Sequence, residues 1–332
     1  MQNIVLLGAG KIGSIHADNI SRHNEATLWS VVDPIAENAS RLAKKHKAKH
    51  QTLDEAMADE NVHGVWIASA SDTHADLIEL AARHGKAIFC EKPIHLELER
   101  VQKALATVKE YGVPLIMGFN RRFDPQFNRV KQLAKEGQIG KLESLVITSR
   151  DPAPPPVEYV KISGGLFKDM MIHDFDMARF IMGEDPISLY AQGSNLVDPA
   201  IGEAGDIDTA IVVLKFPSGA IATLINSRRS GYGYDQRLEL QGEKGMLSAG
   251  NVHEDQVTAW DATGRKLAPP EHFYLQRYKE AYAAELDHFV HVLRGDVTPS
   301  CSGIDGEKAL IMALKAQESL KTHKEIELVF PY

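Results

Sequence analysis

The chain has 332 residues, of which 44% are hydrophobic and 25% charged, values typical of a folded globular protein. Its length exceeds the size at which one hydrophobic core usually stops growing, so two domains are expected. The formal net charge of −8 argues against the basic surface that nucleic acids and anionic membranes attract, and neither is predicted as a partner.

The cysteine content and the N-terminal residues predict a cytoplasmic, soluble protein. Cys90 and Cys301 are too few for a disulfide framework, which favours a reducing compartment. The chain enters an apolar strand directly, without a signal-peptide pattern, and its apolar runs are far shorter than the ~20 residues of a membrane helix.

Strands and helices are predicted to alternate over the first third of the chain. The predicted strands cover residues 3–7, 28–32, 65–68, 87–90 and 114–118, and the predicted helices cover 11–23, a stretch through 41–45, 73–84 and 96–111. Such a succession is typical of a doubly wound parallel sheet. We therefore predict an α/β fold with a Rossmann NAD-binding domain over residues 1–120.

After residue 120 the pattern changes to longer β segments joined by turns. Strands are predicted at 144–149, 209–216, 220–227 and 237–241, and helices at 125–136, 167–182 and 278–293. Residues 121–332 are predicted to form an α+β domain with a large, open, mostly antiparallel or mixed sheet. The last two helices should pack on one face of this sheet, and the other face should serve self-association. The proline-rich stretch 151–156 should be a stiff loop.

The loop Gly8-Ala9-Gly10-Lys11-Ile12-Gly13 lies between a predicted strand and a predicted helix. In that context a G-x-G-x-x-G pattern indicates dinucleotide binding, because the glycines allow a tight turn, close approach of a pyrophosphate and close helix packing. The helix N-terminus offers N–H groups to the anion. We predict cofactor contacts from Gly8, Gly10, Lys11, Ile12 and Gly13; the alternative is a glycine turn that serves packing alone.

Asp33 follows Gly13 by twenty positions, at the end of the second predicted strand. An acidic residue there accepts hydrogen bonds from the ribose hydroxyls of the cofactor. Pro34 and Ile35 come next, with no Arg or Lys close by to hold a 2′-phosphate. The sequence therefore predicts NAD rather than NADP.

Lys92 follows a buried strand in the turn Phe89-Cys90-Glu91-Lys92-Pro93. Open α/β sheets bind their ligands at the carboxyl ends of their strands, so we expect Lys92 to face the ligand crevice. The Lys92–Pro93 bond is one of the few that could be cis. The alternative is a solvated lysine paired with Glu91.

Asp169 and His173 are spaced four residues apart in a predicted helix, which places them on one face. A histidine accepts a hydroxyl proton at neutral pH, and a carboxylate orients its ring and stabilises the imidazolium. This pairing indicates alcohol oxidation. The alternatives are an ordinary helix with local partners, or a metal site that includes Asp174 and Asp176. No clustered histidine or cysteine pair supports the metal, so none is predicted.

Several segments resemble the Gfo/Idh/MocA oxidoreductases, and the likeness covers nearly the whole chain. They are GAGKIGSIHA, SASDTHADL, GKAIFCEKPI, GFNRRFDPQF and SGGLFKDMMIHDFDMARF. The run SRDPAPPPVEYVKISGG is most similar to the inositol 2-dehydrogenases within that family. The resemblance implies a Rossmann domain followed by an open-faced domain whose sheet makes the contacts of a homodimer or homotetramer.

The resemblance also implies residue roles. Lys92 matches the Glu-Lys-Pro lysine that binds the reacting hydroxyl, while Asp169 and His173 match the remaining catalytic pair, with His173 as general base. Further cofactor contacts are implied at Ser69, Asp72, His74, Glu91, Lys92 and Asn120. Further candidates for binding substrate hydroxyls are Arg122, Asp151, Asp176 and Tyr232, because a polyol needs several donors and acceptors fixed in place.

Together these features predict an NAD-dependent dehydrogenase that oxidises a secondary hydroxyl of a cyclic polyol. The resemblance makes myo-inositol, oxidised to 2-keto-myo-inositol in inositol catabolism, the first candidate. One alternative is another substrate, such as scyllo-inositol, an aldose or a dihydrodiol. The other is a non-catalytic NAD-binding regulator of the same fold, against which the intact Lys92, Asp169 and His173 argue.

Overall fold

A computed structural model describes residues 1–331 of the chain and divides it into two compact units. The first unit combines residues 1–123 with 280–308, and the second combines 124–279 with the chain from Ala309 onward. Within the described residues, no helix has both the length and the apolar character needed to cross a membrane.

The first unit is built on a six-stranded parallel sheet with the strand order β3-β2-β1-β4-β5-β6. Its strands are Gln2–Leu7 (β1), Ala26–Val32 (β2), Lys49–His50 (β3), Gly64–Ile67 (β4), Ala87–Glu91 (β5) and Leu115–Gly118 (β6). Its helices are Lys11–Arg22 (α1), Ala36–His46 (α2), Leu53–Ala58 (α3), His74–Arg83 (α4) and Leu98–Tyr111 (α5), with 3₁₀ turns at Ser71–Thr73 and Asn120–Phe123. The predicted doubly wound parallel sheet is confirmed.

All six strands run in one direction, so their carboxyl ends meet at one edge of the sheet. The loops that follow β1, β2, β4, β5 and β6 carry the glycine loop, Asp33, Ser69, Lys92 and Asn120 respectively. The topology thus gathers the predicted cofactor residues, which lie far apart in sequence, at a single edge.

The second unit is built on a seven-stranded mixed sheet with the order β12-β11-β7-β10-β9-β8-β15. Its strands are Leu142–Arg150 (β7), Ser188–Ser194 (β8), Thr209–Lys215 (β9), Ile221–Ser227 (β10), Asp235–Gly242 (β11), Gly245–Ala249 (β12) and Ile326–Glu327 (β15), and Thr258–Asp261 (β13) and Gly264–Leu267 (β14) form a separate hairpin. Its helices are Pro125–Lys135 (α6), Val157–Ser163 (α7), Leu166–Asp169 (α8), Ile172–Met182 (α9), Pro199–Glu203 (α10) and Tyr274–Arg277 (α11). Within this second sheet, β7 and β10 form the only parallel pair among the described strands and the other pairs are antiparallel, which confirms the predicted mixed sheet.

Two further helices, Lys279–Leu293 (α12) and Gly303–Thr322 (α13), contribute residues to both units, since the divisions fall after Lys279 and after Lys308. The predicted domain boundary at residue 120 does not account for residues 280–308, which belong to the first unit. The expectation that helix 278–293 covers the second sheet is wrong from Glu280 onward. Phe289 packs edge-on against Trp66 at 5.5 Å between ring centroids, inside the first core. Apolar periodicity predicts that a helix packs, but not against which sheet.

The helix predicted over 167–182 is interrupted. It consists of α8 and α9, separated at Met170 and Met171. The backbone N–H groups of both methionines donate to the carbonyl of Leu166, which ends α8 before α9 begins. As a result, Asp169 and His173 do not share one continuous helix, and the single helix predicted over 167–182 is wrong.

Candidate active site

The glycine loop after β1 has a backbone that requires glycine at two positions. Gly8 has a φ of +106°, and a Cβ there would lie 2.5 Å from the carbonyl oxygen of Ala68. A Cβ on Gly13 would lie 2.0 Å from the carbonyl oxygen of Gly8. The loop is therefore packed against the end of β4 and against the first turn of α1, as the motif predicted.

Gly10 differs from the other two glycines of the motif because a Cβ built on it would meet no atom within 4 Å outside the adjoining backbone. It is the N-cap residue of α1 and makes no side-chain capping bond, and Lys11 and Ile12 begin the helix. Open space beside an uncapped helix N-terminus suits an anionic group such as a pyrophosphate. These features fit a bound dinucleotide.

Asp33 is half-buried and accepts hydrogen bonds from the backbone of the glycine loop and from the backbone of its own loop after β2. Its Oδ2 accepts a hydrogen bond from Ala9 N at 2.7 Å, and its Oδ1 accepts one from Ile35 N at 2.9 Å. A carboxylate has about four acceptor sites, so each oxygen retains capacity for a ribose hydroxyl. The loop and the acid are thus held as one assembly.

The residues after β4 form a hydrogen-bonded turn. Thr73 donates to the carbonyl of Ala70, and its Oγ1 lies 2.7 Å from Ser69 Oγ. Asp72 is exposed in the same turn, whereas His74 is 1% exposed. Its Nδ1 and Nε2 lie 2.8 Å and 3.1 Å from the carbonyl oxygens of Pro93 and Ser69. These contacts favour a positioning role for His74 over the predicted direct contact with a cofactor.

Burial lowers the pKa of His74, although both backbone contacts and Glu91 act in the opposite direction. A neutral imidazole carries one N–H, so it donates to one of its two carbonyl neighbours. The ring nevertheless connects the turn after β4 with the turn that contains Lys92.

Lys92 is half-buried immediately after β5, and the peptide bond to Pro93 is cis. The preceding Glu91 bonds to His16 Nε2 of α1 at 2.7 Å. Asn120 is buried at the start of the 3₁₀ turn that follows β6. Because β5 and β6 are neighbours in the parallel sheet, Glu91, Lys92 and Asn120 lie at the same edge of the first unit.

Arg122 was expected to bind substrate hydroxyls, but its guanidinium has partners inside the first unit. It donates to the carbonyl oxygen of Ser300 at 3.0 Å and to Asp305 Oδ1 at 2.9 Å. Asp305 also accepts from the backbone of Ser302 at the start of α13. Arg122 is buried and holds the entry to α13, which favours a structural role.

Asp169, in the second unit, is positioned by two residues that the sequence did not indicate. Tyr159 of α7 donates its hydroxyl to Oδ1 at 2.8 Å, and the buried Arg228 approaches Oδ2 at 3.5 Å. Burial and the charge of Asp169 raise the pKa of Tyr159, so its hydroxyl remains a donor at neutral pH. Arg228 also lies 3.6 Å from Asp206, whose carboxylate accepts from the backbone N–H of Leu166.

His173 is half-buried in the first turn of α9, close to the helix break. The same helix carries two fully buried acids, Asp174 and Asp176. Asp174 accepts from Ser149 Oγ at 2.7 Å and Asn226 Nδ2 at 2.5 Å, which fixes α9 on β7 and β10. His173 is therefore carried by a helix whose position on the sheet is well determined.

Tyr232 lies in the loop before β11 and contacts the residue that precedes Asp151. Its hydroxyl accepts from Arg150 at 2.8 Å and donates to the buried Asp235 at 2.5 Å. Burial raises the pKa of Asp235, but hydrogen bonds from Arg237, Tyr232 and Asn251 outweigh it and hold that pKa below its usual value. The structure thus brings the Arg150–Asp151 segment and Tyr232 to one end of the sheet.

Two family models match the chain. A model described as "Oxidoreductase family, NAD-binding Rossmann fold" covers residues 2–119, and the GFO/IDH/MocA C-terminal domain covers residues 127–248.

Individual relatives extend this similarity over nearly the full length. Myo-inositol 2-dehydrogenase of Thermotoga maritima is 43% identical over 327 residues, which is 98% of each protein. Inositol 2-dehydrogenase of Rhizobium meliloti is 45% identical over 97% of this chain and 98% of that protein. The crystal structure of scyllo-inositol dehydrogenase from Lactobacillus casei, with bound NAD(H) and scyllo-inositol, has a TM-score of 0.91 and 28% identity over 98% of this chain and 99% of that chain.

Proposed function

Because the chain belongs to the GFO/IDH/MocA family of oxidoreductases, we propose that it is an NAD-dependent dehydrogenase that converts myo-inositol to 2-keto-myo-inositol. The observation that carries this proposal is the Asp33 carboxylate bound to the glycine loop, on a chain that is 43–45% identical to two inositol 2-dehydrogenases. The two relatives supply the substrate class, and the loop supplies the cofactor.

The cofactor is NAD, for which the first unit provides a cradle. Gly10 and the first turn of α1 face open space where the pyrophosphate would lie, and Asp33 retains acceptor capacity for ribose hydroxyls. When bound, NAD supplies the hydride acceptor that converts a secondary alcohol to a ketone. Ser69, Asp72, Glu91 and Asn120 remain proposed cofactor contacts, and His74 is proposed to position the turn that carries Ser69 and Asp72.

The proposed acid–base roles belong to three residues. His173 accepts the proton of the reacting hydroxyl, since the ordinary pKa of an imidazole, about 6.5, suits a base at neutral pH. Asp169, held by Tyr159 and Arg228, stabilises the imidazolium. Lys92 stabilises the negative charge that develops on the substrate oxygen. Asp151 and Tyr232 are proposed to bind the remaining hydroxyls, whereas the complete burial of Asp176 favours a structural role for that residue.

The formation of NADH, followed by absorbance, tests the proposal with myo-inositol, scyllo-inositol, D-glucose, D-xylose and D-galactose as substrates. We expect the highest kcat/KM with myo-inositol. A preference for the scyllo epimer, the ligand in the Lactobacillus casei structure, would keep the reaction and change the substrate. No turnover with any polyol, together with intact NAD binding, would favour the non-catalytic regulator.

The roles of His173 and Lys92 are tested by alanine variants. Positioned acid–base assistance contributes about 10²–10⁴-fold, so His173→Ala should lower kcat by at least about 100-fold while the affinity for NAD changes little. Lys92→Ala should be at least as harmful. Near-normal turnover in either variant would remove that residue from the mechanism. Glu37→Ala, on the exposed first turn of α2, is a matched control.

We also propose that the enzyme works as a homo-oligomer, a tetramer or a dimer, in the cytoplasm. The exposed face of the second sheet carries Tyr190, Ile211, Val213 and Ile221 on three neighbouring strands. Contiguous apolar surface of this kind supports a contact between copies. Cys90 and Cys301 are buried and are not joined in a disulfide, which suits a reducing compartment.

A further inference from the structure

A buried cluster of three ionisable side chains lies inside the first unit, next to the turn that contains Lys92. It consists of His16 on α1, Glu91 at the end of β5 and Glu285 on α12, and one ligand atom from each lies within 4.8 Å of the others. His16 and Glu285 have no role in the proposed reaction, although a fully buried carboxylate requires an explanation.

The contacts of the cluster are unequal. His16 Nε2 lies 2.7 Å from Glu91 Oε1, a normal hydrogen bond, whereas His16 Nδ1 lies 3.9 Å from Glu285 Oε1. His16 is 1% exposed and Glu285 0% exposed. Among the described residues, His16 Nδ1 and both carboxylate oxygens of Glu285 lack a hydrogen-bond partner.

The surroundings of His16 are aromatic. The rings of Trp66, Phe89 and Tyr282 have centroids 4.7, 5.9 and 5.6 Å from the imidazole. An ionised Glu285 at this fully buried position would be removed from bulk water and would repel the nearby Glu91. Burial and the repulsion from Glu91 raise the pKa of Glu285 well above its usual range.

We propose that Glu285 is a neutral carboxylic acid whose O–H faces Nδ1 of His16, so that the ring donates its Nε2–H to the carboxylate of Glu91. The observed separation of 3.9 Å between Nδ1 and Glu285 Oε1 is longer than a hydrogen bond, so the proposed contact requires the carboxyl to move closer to the ring. This series of hydrogen bonds fixes the tautomer of the imidazole. In it, Glu285 is protonated and Glu91 carries the single negative charge. Because Lys92 follows Glu91 directly, His16 and Glu285 act as positioning residues for the turn; this last role rests on the proposed function.

A divalent cation is the competing occupant, since a histidine and two carboxylates are common metal ligands. The 2.7 Å between His16 Nε2 and Glu91 Oε1 argues against it. Two ligand atoms on a tetrahedral zinc ion, with bonds of about 2.0–2.1 Å, lie about 3.3 Å apart. The observed separation is that of two atoms sharing a proton.

Infrared difference spectroscopy tests the protonation state. The wild-type spectrum minus that of Glu285→Gln at neutral pH should contain the carbonyl-stretch band of a protonated carboxyl, shifted in heavy water. Glu280→Gln, an exposed glutamate on the same helix, should remove only ionised carboxylate bands. Loss of only ionised carboxylate bands in Glu285→Gln would overturn the proposal. So would a stoichiometric divalent metal found by elemental analysis in the wild type and absent from Glu285→Gln.

Steady-state kinetics tests the positioning role. Glu285→Gln keeps an N–H donor at the same place, so its kcat should stay within about twofold of the wild type. Glu285→Leu has no donor, and its kcat should fall about tenfold or more with a much smaller change in the KM for NAD. Equal kcat values for a folded Glu285→Leu and the wild type would refute positioning. If the wild type oxidises no polyol, the proposed function fails, while the infrared result still decides the state of Glu285.

Discussion

Asp169 shows how a single carboxylate is oriented by residues distant in the chain. The Tyr159 hydroxyl holds one oxygen at 2.8 Å, and Arg228, 59 residues away in sequence, faces the other. Arg228 also lies beside Asp206, which accepts from the first turn of α8. The acid is therefore fixed both through its side chain and through the helix that carries it, before any substrate binds.

Removing the tyrosine hydroxyl tests this arrangement. A hydrogen bond to a charged group contributes about 1.5–3 kcal/mol, so Tyr159→Phe should lower kcat by about tenfold if only part of that energy acts in the transition state. Tyr111→Phe, an exposed position at the end of α5, should leave kcat unchanged. The measurement is steady-state NADH formation with saturating myo-inositol and NAD. Unchanged turnover in Tyr159→Phe would show that Asp169 needs no such support.

Asp33 is the residue at which cofactor choice is expected to be decided. Its negative charge repels a 2′-phosphate, and its two oxygens accept from Ala9 N and Ile35 N. Asp33→Asn keeps the shape of the side chain and removes the charge, so the ratio of kcat/KM for NAD to that for NADP should fall by about tenfold or more. Glu37→Gln is the control, and an unchanged ratio would assign cofactor choice to other residues.

At the scale of elements, local patterns were sufficient for the first unit. A few consecutive residues are enough to predict the apolar strands β1, β2, β4, β5 and β6 and the glycine loop after β1. The break between α8 and α9 was not predictable in this way. Asp206, about forty residues away, accepts from the backbone N–H of Leu166 at the start of α8, and Met170 and Met171 both donate to the Leu166 carbonyl where α8 ends.

The same limit applies to the candidate site. Lys92 and His173 stand in recognisable sequence contexts, whereas Tyr159 and Arg228 became apparent only through their contacts with Asp169. Glu285 was missed for a related reason. Periodicity marked α12 as a packed helix, but only the tertiary fold places this helix in the core of the first unit.

Helix α12 places Glu285 inside the first unit, where it faces His16 and Glu91. The free energy of unfolding should therefore depend on pH through this carboxyl group. Its pKa is raised above the usual 4.5, so unfolding releases a proton above that pH. Stability from this group is fully present below about pH 4.5 and declines as pH rises toward the raised value, by at most about 1.4 kcal/mol per pH unit.

Chemical denaturation between pH 5 and 9 measures this effect. The free energy of unfolding of the wild type minus that of Glu285→Gln should decrease as pH rises, because the glutamine does not titrate. The corresponding difference for Glu280→Gln should be flat over the same range. A difference for Glu285→Gln that increases with pH would mean that the folded state holds this carboxyl ionised.

For the whole molecule, the exposed face of the second sheet is the feature that bears on self-association. Strands β8, β9 and β10 alternate between residues that pack inward and residues that remain exposed. Tyr190 and Val213 are neighbours in register, and Ile211 and Ile221 extend the same face. Such an exposed apolar face on adjacent strands supports the proposed contact with a second copy.

A charge placed in the middle of that face should weaken assembly. Ile211 is 46% exposed, so Ile211→Asp should leave the fold of a single chain intact while placing a carboxylate in the contact between copies. Burying an unpaired charge costs several kcal/mol, enough to shift the assembly to a smaller species at micromolar concentration. Light scattering coupled to size-exclusion chromatography should report a lower mass for Ile211→Asp. Val297→Asp, which is 44% exposed and lies in the first unit, should keep the wild-type mass. If both variants retain that mass, either the chain is a monomer or its copies meet through another surface, and the absolute mass distinguishes these outcomes.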